Sequence, residues 1–458
     1  MPGRECSEQF AKKFQKKISE SYSEKELDEV ARQTGFKVRK SKLTPTMFVD
    51  AVLFKEVDNA MVSLEDHCVA LKQRYDVSIK KQSLDERFDE TSVSFIQELL
   101  KRQMVNQIDS TIKNEKLNEM LQHFSSVKIK DSTRFQISEC LKEYYPGSTG
   151  AASGAGVHIQ FEFDILNGKV NDLTVTDALQ QDMTDAQETM DAIEKGSLII
   201  RDLGYFATCV LEEVHHREAY YITRTKSRMN FLHAQSGKDI HFDAVYRKMK
   251  RGNLSHMELP VVIGNKKLPV RLIAEMLPKK EVDKRLAKAN REAKKKGRNL
   301  SDEYKCRARL NLFITNVPVA WIATQQIRKI YQIRWQIELR FKAWKSFYDI
   351  DATKKMQRYR FECYLYSTLL LLMINLEIAT NFFAILWKHV SKPLSFLKFY
   401  KITSQYIAVF RQGVLAGGDN LLTYLAFLYE VSYEKLLTEK RKNHSGSLVE
   451  ILNENFVD

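Results

Sequence analysis

From Cys6 to about Gln103 the apolar residues recur at helical spacing and few runs alternate, so this part of the chain is predicted to be helical. Within it, the stretch "SEKELDEVARQTGFKVRKSKLTPTMFVDAVL" predicts a short helix capped by Ser23, a turn at Gly35, and a second helix entered through Thr44 and Pro45. Basic residues accompany these helices at Lys12, Lys13, Lys16 and Lys17, and again at Lys37, Arg39, Lys40 and Lys42. Such a pair of helices is either a DNA-binding element or a plain helical hairpin packed on the body of the protein.

The pattern then changes. "SVKIKDSTRFQI", "GVHIQFEFDIL" and "KVNDLTVTDA" are strand-like runs joined by turns rich in Gly, Ser and Asn. A helix is predicted from about Met183 to Lys195, ended by Gly196, and a buried strand at "SLIIRDLGYF". Three strands, a helix and a strand call for an α/β layer with a mixed sheet. Between Gly204 and Asn311 this order is interrupted. The strand-like runs "AYYITRTKS" and "LPVVIGNKKLPVRLIAEML" precede a dense basic helix, "PKKEVDKRLAKANREAKKKGRN", which is either a solvated face or linker or a place for phosphate contact. The chain returns to a strand at "LNLFITNVP", and its last seventy or so residues look helical.

After that strand comes "YQIRWQIELRFKAWKSF", Tyr331 to Phe347. At ~100° per residue Tyr331, Arg334, Glu338 and Lys345 lie at about 0°, 300°, 340° and 320°, with Trp335 near 40° and Lys342 near 20°. One helix face is thus predicted to collect a carboxylate, cations and aromatics, while Ile333, Ile337 and Phe347 form an apolar side. Solvation with i,i+4 pairing, such as Glu338 to Lys342, would account for an ordinary charged helix.

At 458 residues and 44% hydrophobic content the chain can bury a sizeable core. Its net charge of +14 favours a polyanionic partner, nucleic acid first and an acidic membrane surface second. Cys6, Cys68, Cys140, Cys209, Cys306 and Cys363 form no C-x-x-C pair, so neither a disulfide framework nor a zinc site is suggested and a reducing cytosol fits. The first thirty or so residues lack the apolar core of a signal peptide. The apolar stretch Cys363 to Trp387 carries Asn375, Glu377 and Asn381 near its centre, which predicts a buried helix rather than a membrane span.

Two carboxylates stand where buried strands are expected to emerge: Asp131 after Val127 to Lys130, and Asp202 after Leu198, Ile199, Ile200 and Arg201. Each either caps a turn or holds something positive, because a carboxylate buried alone is costly. With Glu338 added, one helix and two strand ends can bring three carboxylates to a point, a donor set suited to hard divalent cations such as Mg²⁺ or Mn²⁺.

Tyr331, Arg334, Glu338 and Lys345 match the signature Y-x2-R-x3-E-x6-K, and the chain resembles the insertion-sequence-four family of DDE transposases. The likeness extends to "DST" at Asp131, "DLGYF" at Asp202, "YITRTK" around Arg224 and "FITNVP" at Phe313 to Pro318, and covers roughly Ser126 to Phe347. The resemblance implies an α/β fold: an RNase H-like mixed-sheet catalytic core, interrupted by a β-rich insertion domain, with helical N- and C-terminal regions. On this reading residues 1–105 are a helical DNA-binding region, 106–205 and 310–385 the two parts of the core, 206–309 the insertion with its basic helix, and 386–458 a helical C-terminal region. Glu338 follows Asp202 by 136 positions, and that gap holds the insertion.

The resemblance further implies that Asp131, Asp202 and Glu338 are the catalytic, metal-binding triad, with two Mg²⁺ (or Mn²⁺) ions ~3.5–4 Å apart activating a nucleophile and stabilising the leaving oxyanion. Asp164, at the end of "GVHIQFEFDIL", competes for the first position but belongs to the second strand. Tyr331, Arg334, Trp335, Lys342, Lys345 and Arg224 are the expected DNA contacts, Arg334 and Lys345 by charge, Tyr331 through its hydroxyl, and Trp335 as a stacking surface for an unstacked base. Family members bind the terminal inverted repeats of their element as dimers, cut both strands, typically through a hairpin, and join the 3′ ends to target DNA. The expected location is the bacterial cytoplasm, on the nucleoid when DNA-bound, with no membrane partner. A DNA-binding repressor without catalysis and a metal-dependent nuclease without strand transfer are the alternatives.

Overall fold

Local chemistry fixes the first helices. Ser23 Oγ accepts from the amide of Glu26 at 3.2 Å and starts the helix Glu24–Gln33. Thr44 Oγ1 accepts from the amide of Met47 at 3.3 Å and, with Pro45 in the first turn, starts Pro45–Leu53. Gly35, between them, has φ +77°, a conformation open to glycine without cost. The second helix buries Pro45 and all of Phe48 to Leu53, so it packs as a hairpin arm, while Lys12, Lys13, Lys16, Arg39, Lys40 and Lys42 remain exposed.

This computed structural model describes residues 1–54, 63–147, 153–226, 229–416, 418–438 and 448–453; most of the Gly- and Ser-rich turn before "GVHIQFEFDIL" and parts of the expected C-terminal region lie outside the described residues. The chain divides into two compact units, Met1–Leu117 with Ser132–Gln180 and Trp335–Asp458, and Asn118–Asp131 with Gln181–Arg334.

The first unit is built on the 33-residue helix Arg358–Val390. Among the described residues it is the one helix long and apolar enough to cross a membrane, and 89% of its most apolar window is buried by the rest of the protein. The polar groups expected to mark it as a core helix are paired, apart from Asn375 Oδ1, which is buried without a partner among the described residues. Glu377, 3% exposed, accepts from Lys17 Nζ at 2.6 Å, Gln103 Nε2 at 2.6 Å and the amide of Ile108 at 2.8 Å. Asn381 donates to the Glu377 carbonyl at 2.9 Å, and Asn375 to that of Leu371 at 3.0 Å. One carboxylate therefore fastens the helices Arg4–Ser21 and Glu90–Val105 to the centre of the unit.

Nine strands are present among the described residues: β1 (Ser126–Gln136), β2 (Gly156–Asp164), β3 (Lys169–Asp177), β4 (Ser197–Arg201), β5 (Tyr220–Arg224), β6 (Leu232–His233), β7 (His256–Ile263), β8 (Leu268–Met276) and β9 (Leu310–Thr315). Their order is β3-β2-β1 in the first unit and β1-β4-β5-β9-β8-β7-β6 in the second, β1 being divided between Asp131 and Ser132. β1, β4 and β5 run parallel; the pairs from β5 through β9, β8 and β7 to β6 are antiparallel. The strands expected in the interrupting segment, β7 and β8, thus continue a sheet edge through β9. One core cluster of the second unit, from Ala186 to Ile314, joins residues of this interval such as Phe242, Val261 and Leu272 to Ile199 and Tyr221.

Two elements differ from expectation. The helix predicted from Met183 to Lys195 is Asp182–Glu188 followed by a 3₁₀ turn Met190–Ala192. Thr189 makes a competing bond there, its hydroxyl donating to the Asp185 carbonyl at 2.8 Å, and such back-bonding favours a helix end. The strand predicted across "SLIIRDLGYF" stops at Arg201, because the chain turns at Asp202 into the 3₁₀ turn Leu203–Tyr205. Gly196 precedes β4 with φ +76°, as its place after the helix suggested.

Glu377→Ala should be among the most damaging single changes in the first unit, since it leaves the Lys17 ammonium and two further donors facing apolar surroundings. A loss of roughly 3–5 kcal/mol is expected for removing one partner of a buried ion pair, read as a lower urea midpoint, with Glu377→Gln losing less.

Candidate active site

The site begins with register. β1 pairs β4 in parallel from Ser126↔Ser197 to Lys130↔Arg201, so the next residues, Asp131 and Asp202, stand at the same level; β4 ends there, but β1 runs on to Gln136, so Asp131 lies within its strand rather than at the strand end expected. Parallel strands point their carboxyl ends the same way, and open α/β sheets commonly place their sites there. Arg334 closes the pair: its guanidinium donates to Asp131 Oδ2 through Nη1, and its Nε lies 3.8 Å from Asp202 Oδ1. The side chains of Asp131 and Arg334 are 16% and 15% exposed and that of Asp202 42%, so the cluster opens toward solvent on the Asp202 side.

Arg334 arrives on a 3₁₀ turn, Gln332–Arg334, between the short helix Ile327–Tyr331 and the helix Trp335–Tyr348. The continuous helix expected across Tyr331 to Phe347 is thus broken, and Tyr331 does not share the exposed face assigned to it. Its ring is buried against Phe313, with centroids 5.3 Å apart, and the Arg334 guanidinium lies 6.0 Å from its centroid. Burial pushes the Tyr331 phenol up to about 12, Arg334 and Arg224 pulling it down and Asp202 raising it. The hydroxyl therefore keeps its proton over the working range of pH. Arg224, at the end of β5 opposite Phe313, adds a second positive charge to this end of the sheet.

On the helix Trp335–Tyr348, Trp335, Glu338, Lys342 and Lys345 fall on one side, and Ile337, Arg340, Phe341 and Trp344 are buried on the other. Trp335 is 57% exposed, an uncommon place for the largest apolar side chain. Lys342 is exposed, and Glu338 and Lys345 are half-buried. Lys345 Nζ donates to the Arg134 carbonyl at 3.1 Å and sits 5.9 Å from the Phe135 ring centroid.

Asp164, the competitor for the first acid, is occupied with its own turn. Its Oδ1 accepts from the amides of Leu166 at 3.0 Å and Asn167 at 3.3 Å, and its Oδ2 from the Asn167 side chain. A feature missed in the sequence lies just before Asp131: the Lys130 ammonium is buried and paired with Asp185 at 2.6 Å, and that of Lys128 reaches Glu194 at 2.8 Å. The alternation in "VKIKD" was the available signal, since it turns two lysines to the face opposite Val127 and Ile129.

The donor chemistry suits a divalent cation. Two carboxylates converge on one positive charge and repel each other without it. Among the described residues no three Asp, Glu, His or Cys side chains close on one point; Asp131 and Asp202 meet across the Arg334 guanidinium instead.

Comparison with known proteins identifies the family. The transposase DDE domain family matches residues 122–374, which include all three acids and the signature helix. The chain is 28% identical over 444 residues to the transposase for insertion sequence element IS231F of Bacillus thuringiensis subsp. israelensis, covering 93% of this chain and 92% of the relative. It is 25% identical over 456 residues to the transposase for insertion sequence element IS1151 of Clostridium perfringens, covering 96% of each. The chain belongs to the DDE transposases, of the insertion-sequence-four type. That membership brings DNA as the partner, strand cleavage and transfer as the activity, and divalent cations as the general requirement.

Asp131→Asn should abolish end cleavage, because it removes a charge, level with the end of β4, that Arg334 already marks as a cation site. Asp164→Asn should loosen the turn after β2 by about 1–3 kcal/mol, the cost of leaving buried donors unmatched. It should leave cleavage within about tenfold of wild type, a barrier change of ~1.4 kcal/mol. The opposite ranking in a gel assay on element ends would move the first acid to Asp164.

Proposed function

We propose that this protein is the transposase of an insertion sequence: it binds the terminal inverted repeats of its element as a homodimer, cleaves them, and joins the 3′ ends to target DNA. The observation that carries this reading is the level pair Asp131 and Asp202, held on one guanidinium supplied by the Y-R-E-K signature. An RNase H-like core is supported by the strand order β3-β2-β1-β4-β5, in which the antiparallel pair β2 and β3 lies beside the parallel strands β1, β4 and β5. The segment between Asp202 and Glu338 then acts as the insertion, and the exposed lysines and arginines of residues 1–105 as the DNA-binding surface of the N-terminal region.

Asp131, Asp202 and Glu338 would hold two Mg²⁺ or Mn²⁺ ions, which when bound supply Lewis acidity and lower the pKa of water at the scissile phosphate. Arg334 disperses the repulsion of the acid pair and keeps both carboxylates aimed at one place before DNA arrives. Arg224 adds positive charge at that end of the sheet for a phosphate backbone. Tyr331, kept neutral by burial, is a hydroxyl donor to an anionic oxygen. Lys342 and Lys345 carry point charges along the outward face of their helix, where the backbone beyond the cut can lie. Trp335 offers a ring on which an unstacked base can rest while the freed 3′ hydroxyl turns back on the opposite strand, the hairpin route. Its place of work is the cytoplasm, on the nucleoid.

Asp202→Ala and Glu338→Ala should bind element ends with near-normal affinity and neither cut nor join them, measured by mobility shift beside a cleavage assay in Mg²⁺. Cut ends without joined product, when a target plasmid is supplied, would instead identify a nuclease.

Trp335→Ala should nick element ends at near-normal rate but close hairpins slowly, so that nicked DNA accumulates on a denaturing gel. An abasic site at the unstacking position should partly restore closure. Equal slowing of both steps, without that rescue, would remove Trp335 from the base pocket.

A further inference from the structure

The basic helix of the second unit has a face that none of these steps uses. It runs Lys279–Lys295, with eight cations against the acids Glu281, Asp283 and Glu292. Val282 is buried, and Arg285, Leu286, Ala289 and Ala293 are half-buried. Arg285 pins the helix down, its Nη1 donating to the Leu310 carbonyl at 3.1 Å and its Nη2 to Asn311 Oδ1 at 3.4 Å.

With Val282 set at 0° and ~100° per residue, Leu286, Ala289 and Ala293 lie within about 40° of it, and Lys280, Lys284, Lys288, Arg291 and Lys295 fall between about 160° and 240°. All five of these cations are exposed, on the side directly away from the docked face. The helix is therefore held by one edge and presents an unbroken row of positive charge along the other. Glu281, Asp283 and Glu292 flank the row, and Lys284 reaches Glu281 at 3.1 Å.

Successive members of the row are four, four, three and four residues apart. Like charges at those spacings destabilise a helix by roughly 0.2–0.5 kcal/mol per pair. A solvated face has no reason to repeat that penalty, whereas a polyanion lying along the row reverses its sign. From Lys280 to Lys295 the row spans ~22 Å, the rise of about six or seven base pairs. Four of the five are lysines, compact point charges, and Arg291 is the one guanidinium fork; no amide or aromatic side chain stands among them.

We propose that this row is a phosphate-binding ridge for duplex DNA of arbitrary sequence, and that its occupant is the strand-transfer target rather than the element end. The assignment to target rests on the transposase reading above; the ridge itself does not. An end must be told from other DNA by a set of base contacts, for which a row of four lysines and one guanidinium is poorly equipped, while a target has only to be held.

The test uses the full-length chain carrying Lys280→Gln, Lys284→Gln, Lys288→Gln, Arg291→Gln and Lys295→Gln together, all exposed positions where the helix should persist by circular dichroism. Binding to a duplex lacking the terminal repeat is measured against salt concentration. The slope of log K against log salt should fall by about 0.9 for each phosphate no longer neutralised, about three units or more if most of the row is engaged. End cleavage should stay within twofold of wild type. Joining of precut ends to a plasmid should drop at least tenfold at low target concentration and recover as target is raised. An unchanged salt slope overturns the ridge. A changed slope with end cleavage and joining reduced alike overturns the choice of occupant and gives the row to the element end. Wild-type protein that binds arbitrary duplex but neither cuts nor joins would sink the transposase reading while leaving the salt slope to judge the ridge.

Discussion

Everything at the candidate active site depends on the parallel pairing of β1 with β4. The two strands are locked from Ser126↔Ser197 to Lys130↔Arg201, and both faces of β1 hold that register in place. Val127 and Ile129 are buried on one face, while the ammonium groups of Lys128 and Lys130 find Glu194 and Asp185 on the other. A slip by one residue would exchange these sets, putting two ammonium groups into hydrocarbon and stripping Asp185 of its partner. The closeness of Asp131 to Asp202 is therefore set by the core of the sheet, and Arg334 acts on a pair already brought level.

A second cation is handled in a different way. Arg340 is buried within the first unit, its guanidinium 4.2 Å from the Phe163 ring centroid and 4.1 Å from that of Phe396, with Nη1 donating to the Gln336 carbonyl at 2.9 Å. Burial pushes its pKa down to about 10, so it remains a cation at neutral pH. Two aromatic faces and a carbonyl substitute for water around it. This anchor fixes the rotation of the helix Trp335–Tyr348, and with it the outward direction of Trp335, Lys342 and Lys345.

What could be read from the sequence was whatever short-range chemistry decides. Ser23, Thr44 and Pro45 mark helix starts because a cap satisfies amides a few residues away, and "VKIKDSTRF" reads as a strand because alternation is local. Asp131 and Asp202 could be singled out as acids following buried strand residues, although only Asp202 ends its strand while β1 continues past Asp131, and Asp164 now has a turn-forming role that explains its presence. The 3₁₀ turn at Gln332–Arg334 could not be read, since Tyr331 is drawn inward by Phe313, nearly twenty residues away, against the continuing helical pattern. Nor could Arg340 be found, because in sequence it is one more cation in a charged helix. The strands β7 and β8 were legible as strands, but their attachment to β9 is long-range and left no periodic trace.

The fastening of Glu377 by Lys17 and Gln103 has a consequence for the order in which the protein can be made. The two halves of that contact are separated by 360 and 274 residues, and Phe10, near the start, packs edge-on against Phe382 with centroids 5.7 Å apart. On the ribosome the N-terminal helices emerge long before the helix that covers them, so their apolar faces wait through most of translation. A message broken off before Arg358 would yield no working N-terminal fragment, only a chain whose core had never been supplied. For such a protein, completing synthesis is itself the checkpoint: the exposed lysines of the first helices gain a stable scaffold only when the candidate active site has also been made.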